Sequence, residues 1–264
     1  MKKLENVLIT GVTGSGKSVW VKSMMADIMK ALSPEDVKFI VYDAKRVEFV
    51  HLKESRYWLK PVMTEAGEFA RVLEWLKVEV EKRFQMFRVA GVDGIEAFNA
   101  RRSRAADLLP EHLAEIVLVV DELSDAMIDL GGDGNSLNLA DVVPHAREDV
   151  ERLLVFLLTE GHGAGVRLIL ATSRPAQEVF TDKLLAAVPT RVVFKVASEE
   201  DSIRLLGQRD ARDLQRKGEY LLRAANGVVG VGPVRSISDS EFDRLVCARP
   251  TGGVCNGGRT RYRP

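Results

Sequence analysis

The residues with the clearest chemical meaning form a glycine-rich run near the amino terminus. Residues 11–18 read Gly-Val-Thr-Gly-Ser-Gly-Lys-Ser and match the pattern G-x-x-x-x-G-K-[ST]. Polyphosphate needs many hydrogen-bond donors at short range, and a loop of small residues lets backbone N–H groups turn inward around it. Lys17 is expected to reach the β- and γ-phosphates, and the Ser18 hydroxyl to bind Mg²⁺. Because an apolar strand precedes the run and a helix follows it, we predict nucleotide binding rather than a chance glycine turn.

The residues predicted to bind the nucleotide are consecutive. They are Gly11, Val12, Thr13, Gly14, Ser15, Gly16, Lys17, Ser18 and Val19. The predicted nucleotide is ATP, with Mg²⁺ as its metal partner. Lys17 is also predicted to act in catalysis.

Two adjacent acids follow a continuous apolar strand. Residues 116–120 read Ile-Val-Leu-Val-Val and lead into Asp121 and Glu122. Alone, such a pair is typical of solvated acids at a strand end. About a hundred residues after a phosphate loop, it favours a catalytic site, with Asp121 holding Mg²⁺ through water and Glu122 polarising the attacking water. A carboxylate base beside the magnesium ligand indicates ATP hydrolysis rather than kinase chemistry.

A third run ends in small hydroxyl residues. Residues 168–175 read Leu-Ile-Leu-Ala-Thr-Ser-Arg-Pro. A strand of this kind beside the acidic strand could place Thr172 or Ser173 near the γ-phosphate as a detector of hydrolysis. The alternative is a plain strand-to-turn junction in which Pro175 starts a helix.

These runs need a scaffold, and the hydrophobic pattern supplies one. Apolar strands over 7–10, 37–42, 116–120, 166–171 and 191–196 alternate with helical patterns. One helix is predicted to follow the phosphate loop and to end near residue 32. A second begins after an N-cap at Thr64 and carries apolar residues from Phe69 to Phe87. Two more are predicted to begin after caps at Ser198 and Ser238. We predict an α/β fold with a mostly parallel central sheet and helices on both faces.

Composition limits the other possibilities. The chain has 264 residues, 46% of them apolar, and 38 basic residues balance 38 acidic ones. If the protein binds nucleic acid, it must therefore do so through a local basic patch or an assembled ring, because the chain has no overall positive charge. The two cysteines, Cys247 and Cys255, have no metal-like spacing and the four histidines are scattered, which argues against a structural metal. No run approaches the length of a membrane span, so we expect a cytoplasmic protein.

One domain over 1–249 is predicted, followed by a disordered tail over 250–264. The segments 107–115 and 129–144 are predicted to be loops, because the first separates two patterned stretches and the second is rich in glycine and asparagine.

The order of the motifs resembles that of the FtsK/SpoIIIE family of hexameric DNA translocases. The resemblance covers residues 5–246. Besides the phosphate loop, it rests on Tyr42-Asp43-Ala44-Lys45 with Glu48, Pro61-Val62-Met63-Thr64, Leu73-Glu74-Trp75, Glu81-Lys82-Arg83-Phe84, Phe98-Asn99, Val120-Asp121-Glu122-Leu123, the run 165–172, Arg174-Pro175, Pro189-Thr190-Arg191, Lys195-Val196-Ala197-Ser198 and Lys217-Gly218-Glu219.

This resemblance implies a RecA-like P-loop ATPase. It also implies a homo-oligomeric ring, expected to be a hexamer, that closes ATP sites between subunits and drives double-stranded DNA through its pore. Arg191 is the candidate for a residue that acts at a neighbouring subunit's nucleotide. The alternative for Arg191 is a local salt bridge at a strand edge.

The chain also departs from the family pattern. Ser173 stands where the family usually has glutamine, and Gly161-His162-Gly163 and Val92-Asp93-Gly94 each lack an expected arginine. Because the phosphate loop begins at residue 11, we expect no preceding membrane anchor or ring-forming domain. We likewise expect no winged-helix reader after residue 246. A separate protein could supply DNA recognition.

A cluster of arginines is the candidate DNA contact. Arg101, Arg102 and Arg104 fall within four residues. Six copies in a ring could line the pore and neutralise phosphates without reading bases. The alternative is a solvated helix face whose charges pair with the acids that follow.

Two other functions stay open at this point. Protein-export ATPases resemble the same family and engage polypeptide signals. A small-molecule kinase or a nucleotide switch is the alternative from another class, and the Asp121–Glu122 pair argues against it.

Overall fold

A computed structural model describes residues 4–52, 55–102, 112–129, 146–175, 180–224 and 227–247. The strands are β1 (Val7–Thr10), β2 (Val37–Tyr42), β3 (Glu115–Val120), β4 (Val166–Thr172), β5 (Thr190–Phe194), β6 (Glu219–Ala224) and β7 (Gly227–Pro233). The helices are α1 (Lys17–Ala31), α2 (Ala66–Ala90), α3 (Ile95–Arg102), α4 (Leu123–Asp129), α5 (Ala146–Ala164), α6 (Asp182–Ala187), α7 (Glu199–Leu206) and α8 (Asp239–Cys247).

The described strands form one seven-stranded sheet in the order β2-β3-β4-β1-β5-β6-β7. The first five strands of that order pair in parallel, and β6 and β7 add an antiparallel edge. The predicted α/β class with a mostly parallel sheet is confirmed. The sequence analysis missed β6 and β7, because β6 carries charged residues among its apolar ones and β7 is rich in glycine.

Alternate residues of the central strands enter two separate cores. Leu8, Leu118 and Leu168 pack on one face beneath α2 and α5. Val7, Val117 and Ile169 pack on the other face beneath α1 and α8. Because successive side chains of a strand point to opposite faces, this division requires helices on both sides, as predicted.

Two of the three predicted helix N-caps are confirmed by the structure. The Ser198 hydroxyl accepts a hydrogen bond from the Asp201 amide at 3.0 Å, and the Ser238 hydroxyl accepts one from the Glu241 amide at 3.2 Å. The predicted N-cap at Thr64 is wrong. Helix α2 begins at Ala66 after an extended Glu65, which makes no side-chain cap.

The fifth strand is shorter than predicted. It ends at Phe194, because the Lys195 carbonyl turns to accept the Val12 amide at 2.8 Å and the Val196 amide donates to Ala211 at 3.2 Å. The chain thus leaves the sheet here to support the glycine-rich loop. The predicted tail, nearly all of the predicted loop 129–144 and most of the loop 107–115 lie outside the described residues.

Candidate active site

The three predicted motifs meet at one edge of the sheet. Strands β3, β4 and β1 are neighbours and run parallel, so their carboxyl ends lie side by side. Open α/β sheets bind ligands at this edge. The sequence analysis placed the acidic strand and the hydroxyl strand next to each other, and their pairing in the structure agrees.

The glycine-rich loop between β1 and α1 has the backbone that anion binding needs. Gly14 and Gly16 adopt left-handed φ values of 79° and 119°. Gly16 caps α1 without a side chain, which leaves the first amides of the helix directed at the loop. The Gly218 amide donates to the Ser15 carbonyl at 3.0 Å, so the segment before β6 braces the loop from outside.

Lys17 is the first residue of α1, and its side chain folds back along the loop. Its Nζ donates to the Gly11 carbonyl at 2.8 Å and to the Val12 carbonyl at 3.2 Å. Burial lowers the pKa of Lys17, the Glu122 charge opposes that effect, and the Lys45 charge adds to it. The ammonium therefore lies within the loop and close to the acids of β3.

Ser18 and Asp121 come together across the sheet edge. The Ser18 hydroxyl donates to Asp121 Oδ1 at 3.2 Å, although 103 residues separate them in sequence. Burial, with the charges of Glu48 and Asp43, raises the pKa of Asp121 to about 6. This carboxylate thus lies in an electronegative, poorly solvated place that favours a cation.

These residues fit a Mg²⁺ ion. Mg²⁺ prefers oxygen ligands and usually takes only one or two from the protein, with water and phosphate completing the shell. A hydroxyl and a carboxylate oxygen 3.2 Å apart provide that set. The described residues contain no cluster of three metal-ligating side chains, so a site built wholly from protein ligands is not found among them.

Glu122 is surrounded by hydrogen-bond donors. The Ser173 amide donates to Oε1 at 2.8 Å, the Ser173 hydroxyl to Oε2 at 2.6 Å and the Ser124 hydroxyl to Oε1 at 2.7 Å. Burial alone would raise the pKa of Glu122, but the bonds from these two serines lower it to about 2. The carboxylate is therefore charged and held in one orientation at the carboxyl end of β3.

Ser173 thus lies against the predicted base. It was predicted to lie near the γ-phosphate as a detector of hydrolysis, and its described contacts go to Glu122. Thr172, the alternative candidate, is fully buried and donates its hydroxyl to the Arg174 carbonyl at 3.2 Å. Ser173 can therefore influence a reaction here through the orientation of Glu122.

The sequence analysis assigned no role to two charged residues that face the same cavity. Lys45 and Glu48 follow β2, and Lys45 Nζ lies 3.1 Å from Glu122 Oε2. Burial, the largest single effect, lowers the pKa of Lys45, but the charge and hydrogen bond of Glu122, together with the charges of Asp125 and Asp121, make the net shift upward. The sequence shows that both residues follow an apolar strand, but the pairing of that strand with β3, which brings them to this sheet edge, is seen only in the structure.

The cavity between these segments measures about 300 Å³. Its lining residues are Thr13, Gly14, Gly16, Lys17, Ser18, Val19, Lys45, Val47, Glu48, Asp121, Glu122 and Lys217. Most of these were predicted from the phosphate loop and the acidic pair. Three lysines and three acids line the cavity, which suits a ligand that combines a polyanion with a cation.

Lys22 fixes the position of Glu48. Its Nζ lies 2.6 Å from Glu48 and 2.9 Å from Asp239 of α8, and its side chain is only 10% exposed. The carboxyl-terminal helix is therefore joined to the cavity wall through one buried ammonium.

Arg191 is committed to its own chain. Its guanidinium donates to the carbonyls of Val188 at 3.0 Å, Leu205 at 2.8 Å and Leu185 at 2.6 Å, and it is 7% exposed. Burial and the charges of Arg223 and Arg204 lower its pKa to about 10. These contacts favour a local structural role over action at a neighbouring subunit, with carbonyls as partners in place of the expected acid.

Of the candidate arginine cluster, only the Arg101 side chain is among the described residues. Arg101 is in α3 and donates to the Ala90 carbonyl, and the adjacent Asn99 pairs with Leu113 just before β3 begins. The Arg102 side chain and Arg104 fall outside the described residues. The described part of α3 therefore lies near the amino end of β3, whereas the phosphate loop lies at the carboxyl ends of the parallel strands.

A phosphate loop, a strand-end acid pair and a mostly parallel sheet together define a P-loop ATPase. The chain matches the FtsK/SpoIIIE family over residues 1–236, and it belongs to that family. It is 32% identical over 251 residues to the DNA translocase SftA of Bacillus subtilis, which covers 93% of this chain and 24% of that protein. It is 34% identical over 241 residues to the DNA translocase FtsK of Vibrio vulnificus, and this match covers 84% of this chain and 23% of that protein.

The chain therefore spans about a quarter of the length of these curated relatives. Among solved structures it resembles the pCW3 conjugation coupling protein TcpA, with a TM-score of 0.75, 24% identity and coverage of 92% of this chain and 64% of that one. The cytoplasmic domain of the Thermomonospora curvata type VII secretion ATPase EccC gives a TM-score of 0.74 at 21% identity, covering 98% and 29%. These two likenesses confirm the predicted P-loop ATPase fold.

Within the described part of the chain, no helix has both the length and the apolar character that crossing a bilayer requires.

Proposed function

We propose that this chain binds and hydrolyses ATP and couples hydrolysis to the movement of double-stranded DNA. The observation that carries the proposal is the 3.2 Å contact between Ser18 and Asp121, with Glu122 next to it and Lys17 in the same cavity. This contact joins the phosphate loop to the acidic strand. A phosphate at the loop would therefore lie beside both carboxylates.

The proposed reaction is an in-line displacement at the γ-phosphorus. A bond forms from the water oxygen to the γ-phosphorus, the bond to the β–γ bridging oxygen breaks, and ADP and inorganic phosphate leave. Lys17 and the loop amides neutralise the phosphate oxygens. Glu122 accepts the proton of the attacking water and releases it to solvent after the products separate.

Mg²⁺, held by Ser18 and, through water, by Asp121, would supply countercharge to the phosphate oxygens. The residues around Glu122 must also hold its carboxylate where it can accept the proton of the attacking water. The Ser173 amide and hydroxyl do this, because their hydrogen bonds fix the orientation of the carboxylate.

Double-stranded DNA is the proposed moving substrate. Support comes from family membership and from the names of the curated relatives, which are DNA translocases. Because this chain carries no net charge, DNA binding would require a local basic surface repeated by symmetry. We propose a homo-oligomeric ring, of six subunits as in the family resemblance, with Arg101, Arg102 and Arg104 as candidate phosphate contacts and with DNA recognition left to a separate protein.

The test is the rate of ATP hydrolysis with and without linear double-stranded DNA. We expect stimulation at low salt that falls steeply between about 50 and 200 mM salt, because phosphate contacts release counterions. Arg235→Gln is a matched control, since Arg235 is 82% exposed and lies on the segment before α8. Arg101→Gln should reduce the stimulation more than this control does.

Two results would decide against the proposal. Hydrolysis that is indifferent to any nucleic acid but rises with a polypeptide would instead favour the protein-export alternative. Phosphoryl transfer to a small molecule, with no release of inorganic phosphate, would favour the kinase alternative.

A further inference from the structure

Lys45 is a positive charge in the nucleotide cavity that the phosphate-loop motif does not include. We infer that Lys45 is a catalytic residue whose ammonium contacts the terminal phosphate of bound ATP and neutralises the charge that develops there during hydrolysis. The inference rests on the proposed hydrolysis of ATP at this site and adds to it a residue that holds the reacting phosphate.

The loop that carries Lys45 is fixed by a buried carboxylate. Asp43 is fully buried, and it accepts hydrogen bonds from the amides of Val47 at 3.4 Å, Glu48 at 3.0 Å and Phe49 at 2.8 Å. Arg46 adopts a left-handed φ of 57° within this turn. A side-chain oxygen that binds successive amides sets the course of the backbone. Lys45 is therefore presented from a preorganised turn.

Lys45 and Lys17 approach the cavity from different segments of the fold. Lys17 follows β1 and Lys45 follows β2, and the acids of β3 lie near both. The Lys45 charge contributes to the lowered pKa of Lys17, after the larger effects of burial and Glu122. Two ammonium groups close enough to repel each other are stabilised together when an anion lies between them. A terminal phosphate on the glycine-rich loop would provide that anion.

Glu122 does not need Lys45 to satisfy its carboxylate. The Ser173 amide and hydroxyl and the Ser124 hydroxyl already donate to its two oxygens at 2.6 to 3.0 Å. Lys45 is farther away, at 3.1 Å, and its side chain is 45% exposed against 2% for Glu122. A partly exposed lysine can reorient at low cost, since its flexible stem keeps many rotamers available. Lys45 can therefore exchange Glu122 for a phosphate oxygen while Glu122 stays in place.

The position of Arg191 strengthens this assignment. Three of its five N–H groups donate to carbonyls of its own chain and the residue is only 7% exposed, so it is poorly placed to reach a neighbouring subunit's phosphate. In-line phosphoryl transfer needs countercharge on the γ-phosphate oxygens beyond that of the phosphate-loop lysine. Lys45 can supply it from the same subunit.

The test replaces Lys45 with methionine, which keeps the length of the side chain and removes its charge. We expect kcat to fall by about 100-fold, the usual loss for one preorganised group at developing charge. Binding of ADP should not change, because ADP lacks the γ-phosphate that Lys45 is inferred to contact. Binding of ADP with aluminium fluoride, which mimics the transferring phosphoryl group, should weaken by a similar factor. Lys45→Arg should recover part of kcat, because it restores the charge.

Lys30→Met is the matched control. Lys30 is 43% exposed and pairs with Glu241 at 2.9 Å, so it resembles Lys45 in exposure and pairing but lies on the outer face of α1. Its kinetic constants should equal those of the unmodified protein. Equal melting temperatures for both variants would show that the effect of Lys45→Met is not a loss of folding.

A double-mutant cycle distinguishes contact with phosphate from action through Glu122. In the Glu122→Gln background, Lys45→Met should still weaken the binding of ADP with aluminium fluoride. If that loss disappears, Lys45 acts only by orienting Glu122 and the inference is overturned. Unchanged kcat in Lys45→Met would also overturn it, while leaving the proposed function intact. An unmodified protein that neither binds nor hydrolyses ATP would refute the proposed function itself.

Discussion

The Ser173 hydroxyl and the Glu122 carboxylate form a hydrogen bond of 2.6 Å between the ends of two neighbouring strands. The Ser173 amide donates to the same carboxylate. Ser173 thus joins β4 to the proposed base on β3. A change of shape at the end of β4 would alter the orientation of Glu122, which links the geometry of the sheet edge to the proposed chemistry.

Replacing Ser173 tests this link. Ser173→Ala removes the hydroxyl and keeps the amide donor. The Glu122 carboxylate should therefore stay at the end of β3 but be held less firmly in one orientation. We expect kcat to fall by about 10-fold with KM for ATP unchanged, because misplacing a reacting group affects the transition state more than binding. Ser173→Thr, which retains a hydroxyl, should keep most of the activity. A change in KM alone would contradict the assignment.

Lys17 tests the phosphate-binding loop. Lys17→Ala removes the ammonium that lies 2.8 Å from the Gly11 carbonyl, within the loop. We expect tight ATP binding to be lost, because the loop loses its main countercharge, and calorimetric titration with ATP would measure this. Lys30→Ala, on the same helix, should bind ATP normally. Normal affinity in Lys17→Ala would contradict the site.

Gly11 tests how closely β5 supports the loop. A Cβ at Gly11, where φ is +147°, would lie 2.6 Å from the Phe194 Cβ and 3.0 Å from the Lys195 carbonyl oxygen. Gly11→Ala should therefore destabilise the protein and abolish nucleotide binding. Gly207→Ala is the matched control, because Gly207 also has a positive φ, of 79°, but its Cβ would contact nothing within 4 Å.

The control should cost only about 1 kcal/mol, the backbone penalty alone. Thermal melts of both variants measure the difference. Equal melting temperatures would show that the loop and β5 are not in close contact.

Replacing Arg191 tests whether this residue stabilises its own subunit or acts at the nucleotide of a neighbouring subunit. Arg191→Met removes three buried hydrogen bonds to carbonyls, so the free energy of unfolding should fall by about 3 kcal/mol. Denaturant titration measures this loss, and Arg235→Met, at an exposed arginine, should show little change. Activity restored by mixing inactive Arg191→Met and Lys17→Ala subunits would contradict the structural role and support one in trans.

The sequence predicted the central part of the fold because its signals are local and strong. Continuous apolar runs marked the parallel strands, and the glycine pattern marked the turn into α1. Strands β6 and β7 were missed, because β6 mixes charged and apolar residues without a clean alternation and β7 is rich in glycine. The cap at Thr64 was misplaced, because Glu65 stays extended and the helix begins one residue later.

The candidate site could be predicted where its residues follow strands directly. Asp121 and Glu122 were found in this way. Lys45 was not, because its place in the cavity depends on a turn folded around the buried Asp43, which has no short sequence signature. The hydrogen-bond partners of Arg191 could not be predicted either, because the three carbonyls come from α6, α7 and the segment between α6 and β5.

A single-turnover comparison of the unmodified protein with Glu122→Gln tests the central claim most directly. Glu241→Gln, at an acid of α8 that pairs with Lys30 outside the cavity, serves as the control for removal of an acid. With excess protein and radiolabelled ATP, we expect both proteins to bind ATP, and we expect Glu122→Gln to release phosphate at least about 100-fold more slowly. Release of phosphate by Glu122→Gln at the unmodified rate would show that Glu122 is not the base.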